Sequence, residues 1–262
     1  MRSFKFLSIA RFLFATLFFP LPAAFFPSPL LAQQKMTDDE CQFFDSINRE
    51  RAAQSLVALQ WDEGLAKAAR LHARRMAFYN VVEHQLSGEP DLEVRLAEAG
   101  ARFGAIAENI AVGSNPQTIH DGWMHSPGHR NNILNPRMTA VGIAAVRTNA
   151  GLFAVQDFTL SVSNLSVEEQ EKKIAALLTE GGWRVSGSKE EARKACETDQ
   201  IESGTGMKAM SLVRFETADL SKLPEDLERK LRSKPFRNAT VGACQASGGP
   251  GFAHFRIALL LF

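Results

Sequence analysis

The sequence predicts an α+β chain, on three observations. Well-capped helical periodicities fill the first half, an apolar strand pair joined by a turn stands near the middle, and helices and strands alternate again in the last hundred residues. Thr37-Asp-Asp-Glu40 reads as a capping box that opens a helix running through Phe44, Ile47 and Arg51. A second helix starts near Asp62, with Leu65, Ala69, Leu71 and Met76 at helical spacing and Asn80 as its stop. Its outer face is expected to carry Lys67, Arg70, Arg74 and Arg75 as a solvated charge row. A polar loop from Val82 to Pro90 leads to a short helix ending at Gly100. Ala105 to Val112 reads as a strand, and Asn115-Pro116 places a cap and a first-turn proline before the next helix, ending near Trp123. Thr139–Thr148 and Leu152–Val162 form the strand pair, joined by Asn149-Ala150-Gly151.

The composition changes after Val162. Ser166-x-x-Glu169 opens an amphipathic helix that stops at Gly181-Gly182, and Ser188-x-x-Glu191 opens another. Met207–Phe215, Phe236–Gln245 and Phe252–Phe262 read as strands, with a helix from Pro224 to Arg232 between the first two. The expected organisation is a layered α+β domain over 36–162 and a small α+β unit over 163–262. No internal repeat is visible in the sequence.

Residues 1–32 read as a secretory signal peptide. Arg2, Lys5 and Arg11 precede a Phe/Leu/Ala-rich run, no acidic residue comes before Asp38, and Leu30-Leu31-Ala32 offers a small-residue cut. Pro20, Pro22, Pro27 and Pro29 interrupt the run and argue against a spanning helix. The product is expected to be secreted, either extracellular or periplasmic, with no membrane span. Without the three leader bases, 27 Lys+Arg face 29 Asp+Glu, which gives no reason to expect nucleic acid as a partner. No basic run suggests an anionic membrane surface either. Three cysteines in an exported chain allow one disulfide; Cys196 with Cys244 is the favoured pair of the three that are open, leaving Cys41 as a thiol.

The chain's polar focus is Trp123-Met-His-Ser-Pro-Gly-His-Arg-Asn-Asn-Ile-Leu134. Pro127 and Gly128 are expected to interrupt any helix there, so His125 and His129 do not share a helical face. Glu83-His84-Gln85 and Ala107-Glu108-Asn109-Ile110 offer partners from elsewhere. His72 reads as a packing residue, His120 and His125 as solvated or loop-structuring, and Trp123 as the anchor of the loop. Neither a Gly-x-Ser-x-Gly elbow nor His-Glu-x-x-His is present.

These pieces, together with Asn48-x-x-Arg51, Leu59-x-Trp61-Asp62, Ala68-Ala69-Arg70-x-His72 and Val155-Gln-Asp-Phe158, resemble the CAP superfamily of cysteine-rich secretory, antigen and pathogenesis-related proteins, in its short bacterial form. The resemblance covers roughly 40–160 and implies an α-β-α sandwich with a cleft where His84, Glu108 and His129 meet. Asn109, Ser126 and Arg130 are expected to line it. Many members carry a second glutamate where Ser126 stands here. Two readings of the cleft stay open: imidazoles of His84 and His129 on a zinc ion, with Glu108 as a general base, or a metal-free hydrogen-bonded network. The expected function is non-enzymatic binding of a small hydrophobic ligand, such as a sterol or fatty acid, or of an envelope component. A zinc-dependent hydrolase and a structural envelope protein are the alternatives.

Overall fold

A computed structural model of the chain describes residues 35–198, 209–245 and 249–262. The leader, 1–32, lies outside the described residues, as do Met207 and most of the loop before it. Met36 to Phe262 form one compact unit.

Helix α1 (Asp38–Ala53) begins at the expected capping box, with Thr37 and Glu40 exchanging side-chain and backbone bonds. Strand β1 (Gln60–Trp61) is two residues long and was not expected. Helix α2 (Glu63–Tyr79) is capped by Asp62 and closed by Asn80 in a left-handed conformation. Helix α3 (Leu92–Glu98), strand β2 (Phe103–Gly113), helices α4 (Pro116–His125) and α5 (Pro127–Ile133), and strands β3 (Ala140–Thr148) and β4 (Gly151–Ser161) complete the first half. The sheet order is β1-β3-β4-β2, with β1 parallel to β3 and the other pairs antiparallel. Alternation along the strands sends Ile110, Ala144, Phe153 and Val155 towards α2. Ile143, Ala154 and Phe158 pack with Phe43, Ile47 and Trp123 from α1 and α4. The result is a helix–sheet–helix sandwich.

Two expectations need correction. Pro127 and Gly128 do not end helical structure. Ser126 alone separates α4 from α5, because proline at the first helical position needs no N–H partner and its φ is already helical. Arg70 is also not part of a solvated row. It is buried, binding both Glu40 oxygens at 2.8 Å and Glu63 at 2.7 Å, and so ties α2 to the start of α1.

The remaining elements are α6 (Val167–Glu180), β5 (Arg184–Val185), α7 (Lys189–Glu197), β6 (Ser211–Thr217), α8 (Glu225–Arg232), β7 (Asn238–Gln245) and β8 (Phe255–Leu261). Their sheet runs β5-β7-β8-β6, with β5 parallel to β7 and the rest antiparallel. This is the first sheet's order and sense, element for element. The lead helices α1 and α6 both start with capping boxes. A buried glutamate of each binds an arginine of the following helix through two bonds, Glu40 to Arg70 and Glu171 to Arg193. Gly142 in β3 and Gly242 in β7 each let a helix approach closely. A Cβ would lie 2.1 Å from the Ala66 nitrogen in the first case and 2.2 Å from the Ala192 carbonyl carbon in the second. The fold therefore repeats although the sequence shows no repeat, because the loops differ in length and only the packing constraints recur.

Cys196 and Cys244 are bridged and Cys41 is free and half-buried. The segment before β8 packs back on the first sheet. Phe103 and Phe252 meet edge to face at 4.9 Å, and Phe103 exchanges backbone bonds with Gly251 and Ala253.

Gly142→Ala and Gly242→Ala should each cost about 1–3 kcal/mol by overpacking, read as a lowered urea midpoint. Gly122→Ala, where a Cβ meets nothing within 4 Å, should be neutral or stabilising.

Candidate functional site

The sheet leaves the outer side of β2 unpaired by any strand, and the polar residues gather along that side. Successive residues of β2 point to opposite faces, so Glu108 faces the α2 side and Asn109 the α4–α5 side. The loop after α2 brings His84 to Glu108, with Nδ1 2.8 Å from Oε1. Arg95 of α3 donates from Nη2 to the other oxygen at 2.9 Å and to the His84 carbonyl at 3.0 Å. One guanidinium therefore fixes both the buried carboxylate and the loop that carries the imidazole. His84 itself stays open, with its side chain 62% exposed against 2% for Glu108.

On the other face, α5 is laid along β2 by amides. Asn132 donates to the Glu108 carbonyl at 3.3 Å and to Asn109 Oδ1 at 2.9 Å. Asn109 donates to the His129 carbonyl and to Gln156 Oε1. The end of α5 hangs on Arg51 of α1, fully buried, whose guanidinium donates to the carbonyls of Val57, Ile133, Asn135 and Met138. His129 is half-buried, its ring 6.5 Å from that of Trp123. Burial first, then the nearby His84 charge, lowers its pKa and so disfavours the charged ring. His84 lies near enough for its charge to act on the His129 ring.

Beneath Glu108 lies Asp157, its cross-strand partner on β4, wholly buried. Neither of its oxygens meets a donor. Burial and the facing Glu108 carboxylate push it well above the usual aspartate range. His72, also fully buried, has Nδ1 2.8 Å from Glu89 and Nε2 3.9 Å from Glu108, and desolvation lowers its pKa.

Of the sequence-derived site residues, His84 bonds to Glu108, and Asn109 bonds to the backbone of His129. Ser126 lines the adjoining groove without a capping bond. Arg130 does not join them; its side chain is solvent-facing. His120 is not solvated as expected but buried, 3.9 Å from Glu50. Arg95, Asp157, Asn132 and Gln156 were not singled out, although Gln156-Asp157 inside an apolar strand was a visible anomaly. A groove of about 260 Å³ runs from His129 and Ser126 along Trp123, Gly122 and Ile119 to Val112. Its lining is mainly apolar.

Among the described residues no three His, Cys, Asp or Glu side chains are placed to hold a metal ion. Glu108 already has one oxygen on His84 and the other on Arg95, so it is not a free ligand or base. The donor set does not fit a resident zinc.

An α-β-α sandwich with a His/Glu cleft at its open strand is the class of protein that these observations define. Residues 44–158 match the cysteine-rich secretory protein family, CAP, and are a CAP domain. The YkwD protein of Bacillus subtilis is 36% identical over 125 residues, covering 47% of this chain and 46% of that protein. The membrane protein YlbC of the same organism is 33% identical over 113 residues, covering 42% of this chain and 32% of its own length. The chain thus spans less than half the length of these curated relatives. Among solved structures, an extracellular protein containing an SCP domain from Bacillus anthracis is 31% identical, with a TM-score of 0.44, covering 46% of this chain and 40% of that one.

Asp157 generates a pH prediction. Its folded pKa is raised, so its contribution to stability is complete below the unfolded value of about 3.9 and is lost as pH rises through the folded one. Asp157→Asn should therefore unfold at higher urea than the parent at pH 7, with the difference closing at acid pH. Lowered pKa values at His72, His120 and His129 act oppositely: stability is complete above about 6.5 and declines on acidification. Replacing His129 by Gln should flatten that decline without changing stability at pH 8.

Proposed function

We propose that this is a secreted CAP-domain protein that binds a small hydrophobic ligand, or an apolar group of an envelope partner, without chemical turnover. In this reading residues 1–32 are removed, 36–162 form the binding domain, and 163–262 form a bracing domain beneath it. The observation that carries it is the groove beside His129: an apolar trough along Trp123, Ile119, Ala111 and Val112, with one neutral imidazole and the Ser126 hydroxyl at its end. Such a site gains affinity from buried apolar surface and orientation from a few polar groups. A fatty acid or sterol has this shape, a long apolar body with one polar head. Glu108 is poorly placed to act itself as a general base, because both its oxygens are held. A general base needs a free, basic oxygen within reach of a water. No helix among the described residues is long and apolar enough to cross a membrane.

Gly122 offers the sharpest test, since it lies on the groove and a side chain there meets nothing within 4 Å. Gly122→Trp should fill the trough, leave thermal stability unchanged or higher, and lower binding of a fluorescent fatty acid at least tenfold. Unchanged binding in a well-folded Gly122→Trp variant would sink the groove as the ligand site. Ester hydrolysis by the parent protein that vanishes in Glu108→Gln would sink the non-enzymatic reading instead.

A further inference from the structure

The outer face of α2 presents a surface that the cleft does not explain. At 3.6 residues per turn, Lys67, Leu71, Arg74, Arg75, Phe78 and Tyr79 fall on one side of the helix. All six are exposed. Leu71 is 54% exposed, Phe78 81% and Tyr79 59%, and Val82 just beyond the helix is 39% exposed. Phe78 and Tyr79 stand edge to face at 5.0 Å. Single exposed apolar residues are ordinary, but three on one helix face with a fourth just beyond its end are not. The helix face itself carries three cations and no carboxylate, while Glu89 and Glu98 line a groove with Lys67, Leu71 and Arg75 at one edge. Among the described residues, Lys67, Arg74 and Arg75 form no ion pair.

The repeated fold supplies an internal control. Helix α7 occupies the position of α2 in the second sheet, against Gly242 as α2 lies against Gly142. Its exposed residues are Lys189, Glu190, Lys194 and Glu197, of mixed sign, with Lys194 3.6 Å from Glu190. Packing a helix on this face of the sheet therefore does not require large apolar side chains outside, nor cations of one sign. The composition of α2 is a property of its outer surface.

We infer that this face of α2 docks on an anionic phospholipid surface. Unpaired Lys and Arg side chains meet headgroup phosphates, while Leu71, Phe78, Tyr79 and Val82 enter the boundary between headgroups and acyl chains. The row from Lys67 to Tyr79 is about 18 Å long at 1.5 Å per residue, enough for a helix lying flat. Tyrosine suits that depth, with an apolar ring and a polar tip. A protein partner fits less well, because three unpaired cations in so short a row need an equal density of anions opposite. A lipid surface supplies them without a matched partner. His84 follows Val82 by two residues, so docking sets the mouth of the cleft close to the headgroups. This surface is separate from the groove and stands whether or not the groove binds a ligand.

The test uses residues 36–262, which form one compact unit, so that the apolar leader does not contribute. Co-sedimentation is measured with vesicles of phosphatidylcholine alone and of an equal mixture with phosphatidylglycerol. Binding to the mixed vesicles, weakened by salt and absent with phosphatidylcholine, is expected. A Lys67→Gln/Arg74→Gln/Arg75→Gln variant should lose about a hundredfold in affinity, at about a tenfold step or less for each cation. Phe78→Ser/Tyr79→Ser should lose at least tenfold, and both variants should keep the parent's thermal midpoint, since every altered residue is exposed. Equal binding to both vesicle types, or undiminished binding by either variant, overturns the inference. So does capture of a protein partner through this face with no vesicle binding.

Discussion

A single buried carboxylate organises the site. Glu108 sits on the strand at the sheet's open side, where its charge would be costly without compensation. Arg95 provides that compensation and, with the same nitrogen, holds the carbonyl of His84. A short helix, a loop and a strand thereby depend on one ion pair. Removing either partner leaves the other as an uncompensated buried charge, which costs more than the pair itself contributes. Burial and the facing Glu108 carboxylate both raise the pKa of Asp157, directly across the strands.

The elements that a sequence states locally were the ones read correctly. Caps at Thr37, Asp62, Asn115 and Ser166, the left-handed Asn80 and the turn before Gly151 all act within a few residues, and each appears where its chemistry placed it. Family motifs led to His84 and Glu108, whose contact no local pattern encodes. What was missed depends on distance. Arg95 looks like any helical arginine until the chain brings it to Glu108. Arg70 looks solvated until α1 covers it. The α2 face likewise reads as ordinary charge in sequence, since its significance lies in which apolar residues stand beside those charges. Strands of two residues, β1 and β5, fall below any periodicity.

The repeated topology also shows what the cleft requires beyond the fold. Aligning Gly142 with Gly242 sets Ala258 where Asp157 stands and Arg214 where Glu108 stands, by the cross-strand pairing of each sheet. The second unit keeps the sandwich, the close helix and the buried glutamate–arginine tie. It lacks the pair of facing carboxyls. Fold and side-chain chemistry are therefore separable within one chain, and the disulfide from α7 to β7 belongs to the copy without them.

Arg51 has a consequence for how this cleft can vary. Its guanidinium spreads donors over four carbonyls in three directions, a geometry that lysine's single ammonium centre does not reproduce. The far wall of the groove thus owes its place to a side chain no ligand will ever touch. Residues along α4 and β2 are free to change the groove's taste for one molecule or another, while the frame around them stays anchored from behind.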